Sequence, residues 1–173
     1  YEYFKAVAES ADKGIVIYNV PGRTGANIDA ETVLQLAEID NVIAVKEASG
    51  KYSQISEIIR NRPEGFSVLS GNDDETLSLM ATGAQGVISV ASNIVPEMMV
   101  SLVEALEKDE MALARELHYK LMPLFRNCFI ESNPIPAKAA MASLGLMENS
   151  FRLPMTPCTP QTWEIMKRTL KDL

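Results

Sequence analysis

Histidine and cysteine are scarce in this 173-residue chain: His118 is the one histidine, and Cys128 and Cys158 are the two cysteines. The cysteines lie thirty residues apart with no CxxC spacing, so neither a zinc site nor a disulfide framework is expected, and two free thiols are. One histidine also removes most Ser-His-Asp schemes and most metal centres, which need several converging groups. Basic residues are outnumbered, 16 Lys and Arg against 23 Asp and Glu, and they are scattered, so no positive stripe for nucleic acid exists. Long apolar runs are missing too. Stretches such as Gly86 to Ala91 fall far short of the ~20 residues that cross a bilayer, and the reading is a water-soluble protein with neither membrane nor nucleic-acid partner. No initiator methionine stands at Tyr1, and residues 1–9 read as an amphipathic helix already under way. A chain lacking its beginning is therefore expected, and any targeting segment would precede it.

What is present suffices for a core. Hydrophobic residues make up 47% and charged residues 23%, which places the chain among ordinary globular domains and not among disordered ones. Short β-branched runs alternate with segments of helical period, the pattern of βα units and a parallel sheet. Strands are expected over 15–19, 42–48, 66–70 and 86–90. Helices are expected from Asp29 through Ala37, over 52–62 ahead of Pro63 and Gly65, over 73–82, and over 95–106, where Val95, Met98, Met99, Leu102, Val103 and Leu106 share one face. After Asp109 the alternation stops, and three helices are predicted over 110–129, 135–144 and 161–173, separated by the proline-rich joints Asn133-Pro-Ile-Pro136 and Leu153-Pro-Met-Thr-Pro157. The organisation expected is βα material over 1–109 and a helical region over 110–173. Four parallel strands do not close a barrel, and eight βα units take about 200 residues or more. The fold class expected is α/β: the second half of a (β/α)8 TIM barrel, four βα units, followed by a C-terminal three-helix region. A small open doubly wound sheet is the competitor, but no Gly-x-Gly-x-x-Gly follows any strand.

Lys46 carries the most chemical information. It sits in the run Val42-Ile-Ala-Val-Lys-Glu-Ala48, and strict alternation would put Val42, Ala44, Lys46 and Ala48 on one face of a strand buried on both. Desolvation disfavours a charged ammonium, and a deprotonated amine attacks carbonyls to form a Schiff base. The plain alternative is a lysine that snorkels to solvent or pairs with a carboxylate such as Glu47. Tyr18 ends the preceding strand, on the side where barrels gather their active-site groups. Its phenol could relay protons or simply fill the interior. Arg23, in the loop Pro21-Gly-Arg-Thr-Gly25, has the planar fork that suits a carboxylate, or is an ordinary surface arginine. In Ser70-Gly-Asn-Asp-Asp-Glu75 the acids read as helix capping by Asn72 or Asp73 with first-turn charges. Gly71 differs, because glycine at a strand end permits close approach of a ligand or another side chain. The methionines at helical spacing, among them Met98, Met99 and Met166, read as packing.

Tyr18-Asn-Val-Pro-Gly-Arg-Thr-Gly25 combined with Val42-Ile-Ala-Val-Lys-Glu-Ala48 resembles the dihydrodipicolinate synthase family of class I pyruvate-dependent aldolases and lyases. The resemblance runs through Ser70-Gly-Asn-Asp73, Gly86-Val-Ile-Ser-Val90 and Glu131-Ser-Asn-Pro-Ile-Pro-Ala-Lys138. It implies a (β/α)8 barrel with a C-terminal helical region, a cytoplasmic homotetramer, and condensation of pyruvate with L-aspartate-4-semialdehyde in the diaminopimelate route to lysine. It also implies that Lys46 forms the imine with pyruvate, Tyr18 shuttles protons, Arg23 holds the semialdehyde carboxylate, the backbone of Ile88 touches pyruvate and Gly71 lines the pocket. No metal or organic cofactor is called for. The family's pyruvate-carboxylate segment and its second tyrosine have no counterpart here, so this chain alone is expected to be close to inactive. The sister pyruvate lyases acting on N-acetylneuraminate or 2-keto-3-deoxy sugar acids share the tyrosine and lysine, but not as a rule the arginine. A non-catalytic half-barrel module is the alternative from another class.

Overall fold

The computed structural model describes residues 1–173, and the chain divides into two compact units, Tyr1–Ile88 and Ser89–Leu173. The first unit holds α1 (Glu2–Glu9), β1 (Ile15–Asn19), α2 (Pro21–Thr24), α3 (Ala30–Ala37), β2 (Val42–Glu47), α4 (Tyr52–Asn61), β3 (Ser67–Ser70), α5 (Thr76–Ala81) and β4 (Gly86–Val87). The strands form one parallel sheet in sequence order, β1-β2-β3-β4. Each connection runs through a helix, as parallel pairing demands. Helix α3 starts where the sequence places it, because the Asp29 carboxylate accepts the Thr32 amide at 2.8 Å. Hydrogen bonding by the Thr32 side chain and amide holds the Asp29 carboxyl below its usual range.

One face of the sheet makes the core. Ile17, Val45 and Val68 stand in register across β1, β2 and β3 and pack against Val33 and Leu36 of α3, Ile55 and Ile58 of α4 and Leu79 of α5. Several of these are fully buried, and each such aliphatic side chain contributes roughly 1.5–3 kcal/mol by leaving water. The opposite face departs from the expectation of a sheet covered on both sides. Val16, Tyr18, Ile43 and Ile88 remain 42, 45, 48 and 40% exposed.

Four local expectations are corrected. Ile15 pairs with Val42 but Val16 pairs with Ala44, so an irregularity leaves Ile43 without a partner, and Val42 joins Val45 in the helix-side core instead of sharing a face with Lys46. The fourth strand stops at Val87 rather than Val90, because the Ser89 hydroxyl accepts the Ser92 amide at 2.8 Å and turns the chain into the 3-10 turn Ala91–Asn93. Residues 73–75 form a 3-10 turn ahead of α5 rather than its first α-helical turn. Asn72 does not cap that turn: its side chain donates instead to Glu75 Oε2 at 3.0 Å.

The second unit is helical: α6 (Pro96–Glu107), α7 (Met111–Asn127), α8 (Ile135–Ser143) and α9 (Pro160–Lys171). Helix α6 packs on α7, and α9 packs on both α7 and α8. Met99, Leu102, Leu121, Leu124 and Met166 are buried, so Met99 and Met166 serve packing as their spacing predicts. Thr159 caps α9 by accepting the Thr162 amide, and Glu131 accepts both the amide and the hydroxyl of Thr159. Cys128 is buried, Cys158 is partly so, and both are free thiols. No helix is long and apolar enough to cross a membrane.

Candidate active site

Residues of β1 and β2 face one another in register, so Tyr18 stands beside Lys46 and Asn19 beside Glu47. Side chains alternate between faces, and this sorts the four into two pairs. Tyr18 and Lys46 share the uncovered face, where Lys46 Nζ lies over the Tyr18 ring, 4.1 Å from its centroid. That is cation-π distance, with the cation resting on the negative face of the aromatic quadrupole. The contact runs through the ring and not through the phenolic oxygen.

The burial expected of Lys46 is not met within this chain. The lysine is half-buried, because the sheet face that carries it has no covering layer. Nor does it pair with Glu47, which is fully buried on the opposite face. There Glu47 Oε1 accepts the Asn19 side-chain amide at 2.7 Å and Oε2 accepts the Ser49 hydroxyl at 2.6 Å.

Arg23 lies in the one-turn helix α2, where the sequence predicted only a loop. The turn closes on itself: the amides of Arg23 and Thr24 donate to the Val20 carbonyl, and Gly25, at φ +72°, donates to that of Pro21. Glycine is suited to that left-handed C-cap. The Arg23 side chain is exposed and makes neither a hydrogen bond nor an ion pair. Lys46 and Tyr18 are thus brought together, while Arg23 stands unattached on the loop that follows Tyr18.

Gly71 allows a close approach, and the group that approaches is β2. A Cβ at this position would stand 2.7 Å from Ala48 Cβ and 2.9 Å from the Glu47 carbonyl oxygen, which accepts the Gly71 amide at 2.6 Å. Ile88 follows β4, its side chain 40% exposed and its amide donating to the Ser70 carbonyl at 2.9 Å.

Sequence reasoning missed the polar layer behind this site. Asn19, Glu47 and Ser70 are buried at the C-terminal ends of three adjacent strands, with Asn27, Ser49, Gln54 and Glu75 around them. Burial pushes the Glu75 carboxyl above its usual range, against the hydrogen bond from Asn72, and the charges of Asp74 and Glu47 add to the rise. The signal was available: a polar residue directly follows each of Tyr18 and Lys46, and alternation sends both to the helix side.

The chain matches, along residues 1–173, the model of the dihydrodipicolinate synthetase family. It is 45% identical over 173 residues to the 4-hydroxy-tetrahydrodipicolinate synthase of Thermosipho melanesiensis, covering 99% of this chain and 60% of that protein. The crystal structure of dihydrodipicolinate synthase from Aquifex aeolicus superposes with a TM-score of 0.96 at 46% identity, covering 99% of this chain and 59% of that one. The chloride-inhibited dihydrodipicolinate synthase of Acinetobacter baumannii, complexed with pyruvate, superposes with a TM-score of 0.95 at 37% identity, covering 99% and 59%. The chain spans about 60% of the length of the relatives it matches.

Proposed function

Because the chain belongs to the dihydrodipicolinate synthetase family, we propose that it is the lysine-bearing part of a 4-hydroxy-tetrahydrodipicolinate synthase. That enzyme, a lyase, condenses pyruvate with L-aspartate-4-semialdehyde on the diaminopimelate route to lysine. The observation that carries the reading is Lys46 Nζ at 4.1 Å over the Tyr18 ring, from in-register positions on neighbouring parallel strands. Pyruvate bound to the Acinetobacter relative supports the first substrate.

In this reading residues 1–109 supply the second half of a (β/α)8 barrel and 110–173 a C-terminal three-helix region. The exposed row Val16, Tyr18, Ile43 and Ile88 faces the barrel interior, and the missing cover is the other half of the barrel. Closing that half over Lys46 excludes water from the reacting groups. The amine attacks the keto carbon of pyruvate and water departs, leaving an imine. A proton leaves the methyl carbon to give an enamine, whose carbon attacks the aldehyde of the second substrate. Tyr18 relays the protons of these steps from its place beside the amine. Arg23, with its fork free, holds the semialdehyde carboxylate. The Ile88 amide is already engaged with Ser70, which leaves the carbonyl as the backbone group that meets pyruvate. Gly71 shapes the pocket by drawing β3 close to Ala48. The complete enzyme is a cytoplasmic homotetramer that needs no metal or organic cofactor.

The test is reductive trapping. Borohydride with pyruvate is applied to this chain and to the chain completed with the N-terminal half of a relative, and any adduct is mapped by peptide mass. Expected are an adduct on Lys46 in the completed protein, its loss in Lys46→Ala, and condensation of the two substrates. No adduct in either protein would sink the Schiff-base reading, and pyruvate release from a sugar acid without condensation would move the assignment to a sister lyase.

A further inference from the structure

The loop that carries Arg23 is internally closed but attached at few points. Its turns bond within residues 20–26, including Thr24 Oγ1 to the Ala26 carbonyl at 2.9 Å. Its far end is fastened by one side chain that reaches back from β1. Asn19 Oδ1 accepts the Ile28 amide at 3.0 Å, and Asn19 Nδ2 donates to the Ile28 carbonyl at 3.1 Å. The side-chain amide thus grips both backbone groups of Ile28, as a neighbouring strand would. The same Nδ2 donates to Glu47 Oε1 at 2.7 Å, which ties the grip to the strand of Lys46. Gln54 of α4 completes it from outside: its amide donates to the Ile28 carbonyl at 3.0 Å, and its oxygen accepts from Asn27 at 2.9 Å. Asn19 is 1% exposed and its bond to Glu47 is buried, so that bond forms away from competing water, while the bond between Gln54 and Asn27 lies at the surface.

We infer that Asn19, with Gln54, is a positioning residue: together they fix the loop bearing Arg23 relative to Lys46 and so set affinity for the second, carboxylate-bearing substrate. The inference rests on the proposed function, which gives that carboxylate to Arg23. Neither residue reaches substrate; both act through Arg23.

The experiment uses the completed protein and steady-state kinetics with pyruvate and L-aspartate-4-semialdehyde. Asn19→Ala and Gln54→Ala each raise the KM for the semialdehyde by about tenfold, with kcat and the pyruvate KM changed less than about twofold, as expected for a misplaced binding group. Arg23→Ala raises the same KM at least as far, and adding Gln54→Ala to it brings no further rise, because the effect passes through Arg23. Asn19→Asp keeps an acceptor for the Ile28 amide but loses the donor to the Ile28 carbonyl and sets a carboxylate against Glu47, so it raises the same KM. Adding Glu47→Gln relieves only the clash of charges, and the KM stays above that of the wild type. Should Asn19→Ala fail to fold, Gln54→Ala decides, since Gln54 lies at the partly exposed end of the network. An unchanged semialdehyde KM in Gln54→Ala, an equal rise in both KM values, or full additivity with Arg23→Ala overturns the inference while leaving the function standing. Wild-type protein that condenses nothing removes the function, and the inference with it.

Discussion

At the scale of single residues, the carboxylates around the strand ends differ in how their surroundings treat charge. Glu75 is half-buried, and burial raises its pKa above the usual carboxylate range, with Asp74 and Glu47 adding to the effect. A carboxyl whose pKa is higher folded than unfolded binds its proton more tightly in the folded state. Its contribution to stability is complete below the unfolded value and is lost as pH rises through the folded one. Glu75→Gln keeps an oxygen for Asn72 and removes the titration. The variant should therefore gain on the wild type as pH rises through and above the ordinary glutamate range, read as a growing difference in urea midpoint. A difference independent of pH would contradict this account. Asp29 and Glu131 are shifted the other way by their hydrogen bonds, so the comparison between variants isolates Glu75 from them.

Among the elements, β2 and β3 approach closely where Gly71 meets Ala48. With Gly71 Cα held by the 2.6 Å bond to the Glu47 carbonyl, a methyl group there has no room against Ala48. Gly71→Ala should destabilise the protein by about 1–3 kcal/mol, the usual range for overpacking, and lower the yield of borohydride adduct on Lys46 because β2 must move. Denaturant melts and peptide mass together check it; a stable variant with full trapping would show that the contact yields freely. The alternation of β-branched runs with helical periods made all four strands and the principal helices legible, and the Tyr18 and Lys46 positions followed from it. The features that escaped depend on distant partners. The unpaired Ile43 is fixed by the register of β1 on β2, and the early end of β4 by a serine hydroxyl two residues on. The grip of Asn19 on Ile28 spans nine residues, and its bond to Glu47 spans twenty-eight. No local periodicity encodes such pairings.

For the molecule as a whole, the uncovered sheet face is the dominant fact. Exposed Val16, Tyr18, Ile43 and Ile88 on one surface are unusual for a parallel sheet and mark a contact surface. Completing the chain with the other half of the barrel should bury them. The expected outcome is that this chain alone binds an apolar dye such as anilinonaphthalene sulfonate and the completed protein does not, with slowed amide exchange in β1 and β2 on completion. Equal dye binding by both would mean that the face is not where the barrel closes.

The register of β1 on β2 has a consequence for how such a sequence can change over time. Residues of the two sheet faces alternate along the same two strands, Tyr18 then Asn19, Lys46 then Glu47. Point substitutions can be tried one face at a time, but a one-residue insertion or deletion exchanges the faces wholesale. It would send the lysine into the packed side and bring the glutamate out to the uncovered face. A change of length is thus compatible with this arrangement only in the loops, and the two stretches Val16 to Asn19 and Ala44 to Glu47 behave as a reading frame of their own.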